Sequence, residues 1–375
     1  MTGLAEILKR RIAIEGPLSI ADYMSEALGH PVHGYYRGKD RLGGAGDFVT
    51  APEISQMFGE LIGLWSAVVW KAMGSPKTIL VVELGPGRGT LMADFLRAAR
   101  AVPAFIEALD LHLVETSPGF QACQSAVLAD AGLPRPPRWH ETLAGVPVGP
   151  AILVANEFFD ALPIRQFEKT RRGWRERLVD VDPESGAFRF TRAPKPAESR
   201  RFSRMGPAPV GGIVEICPTG LALATAIGRR LRSEGGAALI IDYGPAKSGF
   251  GDSLQAVRAH AFHDVLQEPG RADLTAHVDF AALAEAAAVA GAAVHGPVNQ
   301  RDFLDLLGIG ARLNRLLAAA TPKQTRELTS GFRRLMVPER MGTLFKAIAF
   351  CHPSLKSLPG FDDGSDAAAG AVPPS

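Results

Sequence analysis

The sequence predicts an α/β protein: a doubly wound sheet with an N-terminal helical cap and an inserted antiparallel β segment. Three observations lead there. Apolar, largely β-branched runs at 78–84 (TILVVEL), 111–115 (LHLVE), 151–156 (AILVAN) and 237–244 (AALIIDYG) show little polar alternation. That is the pattern of parallel strands buried on both faces. Helix-like segments at 90–101, 118–131 and 218–233 separate them, and alternating β and α elements build such a sheet. At 375 residues, 46% hydrophobic and 21% charged, the chain suits one large globular domain with an insertion.

Taken in order, residues 2–29 read as two short helices broken at Gly16-Pro17. Residues 30–52 are glycine-rich and polar, a long loop of the kind that is usually functional or disordered. Thr50-Ala-Pro-Glu53 has the form of a capping box with proline in the first turn, opening a helix over 53–73. The alternating core follows. After Pro163, RQFEKTRRGWRERLVDVDPESGAFRF alternates apolar and charged residues around turn signals, an antiparallel insertion ending near Gly212. The core resumes at 218. An irregular stretch over 245–277 leads to an alanine-rich helix at 279–290, two further helices across 300–335 and a last strand at 343–350. Expected boundaries are a cap and cofactor-covering loop over 1–75, a core over 76–355 with its insertion at about 164–212, and a disordered tail over 356–375.

Composition excludes several classes. No apolar stretch approaches the ~20 residues that span a bilayer, so no stable membrane insertion is expected. Charges interrupt the N-terminus where a signal peptide needs an apolar core. A net charge of +2 gives no reason to expect nucleic acid. Cys123, Cys217 and Cys351 form no CxxC or metal spacing and read as reduced thiols of a cytoplasmic compartment.

The glycine turn ELGPGRGTL follows the first core strand. Gly85, Gly87 and Gly89 allow a tight turn and close approach of a ligand, and the helix start beyond them offers free N–H groups to a phosphate or a carboxylate. Arg88 suits either anion. A dinucleotide fingerprint wants G-x-G-x-x-G, whereas this turn is G-x-G-x-G with Glu83 before it. Glu115 ends the next strand, where a carboxylate accepts bonds from both ribose hydroxyls and repels a 2′-phosphate. Acid-x-G-x-G-x-G followed by that second acid is the pattern of class I (Rossmann-like) S-adenosyl-L-methionine methyltransferases. NAD is the minority reading, and a turn serving packing alone is the bland one.

The strand AILVAN delivers Asn156-Glu157-Phe158-Phe159-Asp160 to the carboxyl edge, where doubly wound sheets bind ligands. In a methyltransferase this edge lies beside the transferable methyl, and positioning supplies most of the catalysis. An Asn carbonyl there orients an attacking amine, and Glu157 and Asp160 suit a guanidinium through bidentate bonds. A full general base is hard to assign, because a guanidinium scarcely deprotonates. Phe158 and Phe159 offer ring faces to a cationic sulfur; at least one of them reads as core.

These residues resemble the MidA-like methyltransferases, the family of the mitochondrial complex I assembly factor 7. The matching blocks are GDFVTAPEISQMFGE (46–60), ELGPGRGTLMAD (83–94), LVETSP (113–118), ANEFFDALPIRQF (155–167), LIIDYG (239–244), RADLTAHVDF (271–280), QRDFLDLLGI (300–309) and MGTLFKAIAF (341–350). The resemblance covers nearly all of the chain except the tail. It implies a protein-arginine methyltransferase that uses S-adenosyl-L-methionine, acts on a complex I subunit and assists assembly. The sequence shows no mitochondrial presequence, so a bacterial, cytoplasmic member is expected, or a mitochondrial matrix protein if it is a processed form. Rivals on the same core are a small-molecule or other N-methyltransferase and a non-enzymatic cofactor-binding assembly factor. A homo-oligomer is compatible with the sequence.

The family signature adds Asp47 and Phe48 as cofactor or substrate contacts, whereas the helix cap alone explains Thr50 and Glu53. Arg258, His260, His263, Asp264, His277 and Asp279 suggest a substrate-cleft loop; the H-x-x-H within it lacks a third ligand at a diagnostic distance, so no metal is expected. The basic run Lys169 to Arg177, with Trp174, reads as a solvated hairpin more than as a dock for an acidic partner.

Overall fold

The structure, a computed structural model, describes residues 3–37 and 50–361, so Asp47 and Phe48 lie outside the described residues. Helices α1 (Gly3–Glu15) and α2 (Ile20–Gly29) flank the short strand β1 (Leu18–Ser19), divided at Gly16-Pro17 as expected. Next come α3 (Ala51–Ile54), α4 (Gln56–Ala72), β2 (Ile79–Leu84), α5 (Thr90–Ala99), α6 (Pro103–Ala108), β3 (Leu109–Val114), α7 (Pro118–Leu128), β4 (Arg138–His140) and β5 (Ala151–Asn156). The insertion holds β6 (Arg165–Thr170), β7 (Gly173–Val181), β8 (Phe188–Arg192), α8 (Arg200–Arg204) and β9 (Ile213–Ile216). The rest is α9 (Pro218–Glu234), β10 (Gly236–Tyr243), β11 (Gln255–Arg258), β12 (Ala261–His263), β13 (Asp273–Thr275), α10 (Phe280–Val289), β14 (Ala293–Asn299), α11 (Gln300–Leu306), α12 (Ile309–Leu317), α13 (Pro322–Met336) and β15 (Phe345–Cys351).

The main sheet runs β14-β15-β10-β5-β2-β3-β4. β10, β5, β2, β3 and β4 pair in parallel, while β15 is antiparallel to both of its neighbours. Every residue of β2, β3 and β10 is buried, and β2 and β10 accordingly read as nearly continuous apolar runs. β3 instead alternates leucine with Asp110 and His112, whose buried side chains meet Arg138 and His140 of β4. Trp65, Phe95, Phe303 and Leu335 fill one face, and Ile227, Leu231, Phe280 and Leu283 fill the other. Register aligns the carboxyl ends: Leu84 pairs Val114 and Ala155, and Asn156 pairs Ile241. The glycine turn, Glu115, the Asn156 loop and Asp242 therefore occupy one edge.

Several boundaries differ from expectation. The cap is divided: α1 and α2 pack with Val179 of the insertion and Leu274 of β13, whereas α4 belongs to the main core. β1 joins the inserted sheet, β1-β7-β6-β9 with β8 on β7, which ends at Ile216 rather than near Gly212. The expected helix over 53–73 breaks at Ser55, which is extended and whose hydroxyl caps α4 by accepting the Met57 N–H. No capping box forms at Thr50: its side chain makes no cap bond, and Glu53 pairs with Arg88 instead. Tertiary partners have outcompeted the local cap. The irregular stretch 245–277 contains the three-stranded sheet β12-β11-β13, so His260 and His263 sit on a hairpin. Across 300–336 lie three α-helices, α11, α12 and α13, rather than the two expected, and a short π-helical turn (Pro338–Gly342) leads into β15. The start of the expected tail is packed: Leu358 is buried, and Pro359 accepts the Trp65 indole N–H. Residues 362–375 lie outside the described residues.

Candidate active site

The glycine turn is shaped by three left-handed residues, with φ of 64° at Gly85, 52° at Gly87 and 83° at Gly89. Each glycine has its own spatial reason. A Cβ on Gly85 would lie 2.6 Å from the Phe158 ring. Nothing stands within 4 Å of a Cβ on Gly87, so the turn is open there. Gly89 begins α5, and its Cβ would touch Gln124 at 3.4 Å. Behind the turn, Glu83 is 3% exposed and its Oε2 has no hydrogen-bond partner among the described residues. Burial, helped by the Glu115 charge, pushes its carboxyl up to about 8. An open glycine cradle beside an orphaned buried carboxylate fits a ligand that carries an ammonium group.

Glu115 follows β3. Its Oε1 accepts the Ser117 N–H at 2.8 Å and its Oε2 accepts the Gln124 amide at 3.3 Å. Burial raises its carboxyl despite these donors. Arg88, expected to serve an anion, is instead ion-paired with Glu53 at 3.2 Å.

Asn156 ends β5, and Glu157 turns the chain with a φ of 48°, uncommon for a non-glycine residue. The Glu157 Oε1 accepts the Ala51 N–H at 2.8 Å and the Asn156 amide at 3.2 Å. Asn156 Oδ1 is buried without a partner among the described residues. The fully buried Asp242 carboxylate organises the loop: its Oδ2 accepts the N–H groups of Phe158, Phe159 and Asp160 at 3.0–3.2 Å, and its Oδ1 accepts that of Tyr243. Burial pushes Glu157 up to about 7, with Asp160 and Glu53 adding repulsion, and Asp160 up to about 6. Tyr243 is buried beside Asp160, and Tyr36 donates to Asp273 at 3.0 Å nearby. Phe158 faces the glycine turn, while Phe159 is 4% exposed and belongs to the core.

The structure thus brings Glu83, Gly85, Gly87, Gly89 and Glu115 to one end of the edge, with Asn156, Glu157 and Asp160 beside them. The 258–279 residues do not gather. Arg258 pairs with Glu268, the His263 ring meets the Asp264 carbonyl, Asp279 caps α10, and His277 packs edge-on against Tyr243 at 5.6 Å. The basic run is a hairpin whose Trp174 packs on Phe202, with Arg177 paired to Asp252. Sequence reasoning missed Gln124, Tyr36 and the loop-organising part played by Asp242. Of these, only Asp242 carried a signal, an acid ending an otherwise apolar strand.

A family model described as S-adenosyl-L-methionine-dependent methyltransferase matches residues 61–298. The chain is 40% identical over 371 residues to a mouse protein named protein arginine methyltransferase NDUFAF7, mitochondrial, covering 93% of this chain and 84% of that protein. The human protein of the same name is 38% identical, with 93% and 83% covered. Among solved structures, a Burkholderia thailandensis protein described as a likely methyl transferase and bound to S-adenosyl-homocysteine is 30% identical with a TM-score of 0.79, over 96% of this chain and 92% of that one. A second Burkholderia thailandensis structure, of an uncharacterized protein in the same superfamily, is 32% identical with a TM-score of 0.80, over the same shares.

Proposed function

Because the chain belongs to the MidA-like family of S-adenosyl-L-methionine-dependent methyltransferases, with their class I fold, we propose that it methylates an arginine of a protein, a subunit of NADH:ubiquinone oxidoreductase whose assembly it aids. Membership of this family replaces the dinucleotide reading of the turn. The arginine assignment draws on the names of the curated relatives, and the complex I subunit on the family resemblance. The proposed compartment keeps three free thiols reduced, bacterial cytoplasm or mitochondrial matrix. No described helix is long and apolar enough to cross a membrane.

The cofactor site proposed is the turn Gly85-Gly87-Gly89 with Glu83 and Glu115, and the family signature adds Asp47 and Phe48. Glu83 suits an ammonium and Glu115 a pair of ribose hydroxyls. When bound, S-adenosyl-L-methionine supplies an electrophilic methyl on a sulfonium sulfur. The protein's part is to place one guanidinium nitrogen before it. Glu157 and Asp160 receive the guanidinium as charge-assisted partners, and Asn156 Oδ1, buried and unpartnered, is free to accept an N–H of the attacking nitrogen. One nitrogen–methyl bond forms, the sulfur–methyl bond breaks, and the nitrogen gives up a proton. Glu157, raised to about 7, is matched to take that proton and pass it to water.

The observation that carries this reading is the Glu157 carboxylate itself, half-buried, held by the Ala51 N–H and set in a strained turn at the carboxyl edge. Glu157→Gln should keep S-adenosyl-homocysteine affinity within about twofold and lower methyl transfer by roughly 100-fold or more. The assay is labelled cofactor with native cell extract, followed by mass spectrometry. Label on protein arginine supports the proposal; label confined to small molecules overturns it. Full complex I assembly by an inactive variant would instead mark a scaffold.

A further inference from the structure

Gln124 on α7 is fully buried, 35 residues beyond the last glycine of the turn, and no motif marks it. Its amide makes three bonds. Nε2 donates to the Gly87 carbonyl at 2.7 Å and to Glu115 Oε2 at 3.3 Å, and Oε1 accepts the Trp139 indole N–H at 2.8 Å. The indole is a donor only, so the atom facing it must be the amide oxygen. Trp139, on β4, therefore fixes which way the amide points and commits both amide hydrogens to Gly87 and Glu115. Gly89 completes the arrangement: lacking a side chain, it lets α7 approach until Gln124 stands 3.4 Å from where a Cβ would be.

We propose that Gln124 is the positioning residue for the cofactor's ribose, locking the glycine turn and the Glu115 carboxylate into one unit. Among the described residues Glu115 takes the Ser117 N–H on one oxygen and the Gln124 amide on the other, with the Thr116 N–H as a further backbone donor, and a carboxylate's remaining lone pairs keep acceptor capacity. Two fixed acceptors side by side match the two adjacent ribose hydroxyls. Without Gln124 the carboxylate can rotate, the Gly87 carbonyl loses its donor, and the Trp139 N–H is stranded. No water substitutes readily at a fully buried amide.

This inference rests on the Glu115–ribose placement proposed above, and the test separates the two. Calorimetry measures binding of S-adenosyl-homocysteine and its 3′-deoxy analogue to the full chain. The wild type should bind the deoxy analogue about 10- to 100-fold more weakly, the loss of one bond to a charged acceptor. Gln124→Met, similar in length but without donors, should bind the parent ligand roughly tenfold more weakly and discriminate the deoxy form by less than about fivefold. A merely structural defect would weaken both ligands equally and leave their ratio unchanged. Trp139→Phe, which frees the amide to flip, should lower the ratio about two- to threefold, and it carries the test if Gln124→Met does not fold. A wild-type-like ratio in the variant overturns the role of Gln124 alone. No discrimination by the wild type overturns the Glu115 placement and this inference with it.

Discussion

Glu83 shows how one buried side chain ties stability to pH. Its carboxyl is raised from the usual carboxylate range to about 8. Between the unfolded value near 4.5 and about 8, the folded state holds a proton that the unfolded state has lost. The resulting stabilisation is complete below the unfolded value and is lost as pH rises through the folded one. Stability without ligand should therefore fall from pH 5 to 8.5, by on the order of 2–5 kcal/mol from this group. Glu83→Gln should flatten that slope, and melting temperature against pH measures it. An unchanged slope would show that Glu83 is not the group responsible. Glu83 and Glu115 are legible in the sequence because an acid at the end of an apolar strand is rare unless used. Gln124 is not legible, since its three partners come from distant turns and strands.

At the scale of elements, α4 braces the helix that carries the glycine turn. Gly59 and Gly63 lie one turn apart on α4, and Cβ atoms there would stand 2.7 Å from Asp94 Cβ and 2.4 Å from the Phe95 carbonyl oxygen of α5. This close crossing holds α5, and with it Gly89, in place. Gly63→Ala should gain about 1 kcal/mol of helix propensity and lose about 1–3 kcal/mol to overpacking against a backbone that cannot yield. The expected net loss is roughly 0–2 kcal/mol, read from urea unfolding; a stabilised variant would show that the two helices can part. The strands were legible because burial on both faces demands continuous apolar runs. The break at Ser55 was not, because α3 is held by the Ala51–Glu157 bond, the Glu53–Arg88 pair and Gly331 packed on Ile54.

For the whole molecule, the prediction concerns ligand linkage. S-adenosyl-homocysteine at 100 times its dissociation constant should stabilise the fold by about 2.7 kcal/mol, while NADH at the same concentration should leave the melting temperature unchanged. A shift with NADH alone would contradict the cofactor assignment. By itself the sequence determined the doubly wound class, the glycine turn with its two acids and the Asn156–Asp160 loop. Each is written locally, in strand burial, backbone permissiveness or a polar residue ending an apolar run. The tertiary structure alone decided that β15 enters the sheet antiparallel between β10 and β14, that β1 joins the insertion, and that Asp242 gathers the 158–160 loop. These are choices among partners far apart in the chain. Several pairings satisfy the same local pattern, and only the packed whole, with its buried N–H groups and carboxylates to satisfy, selects one.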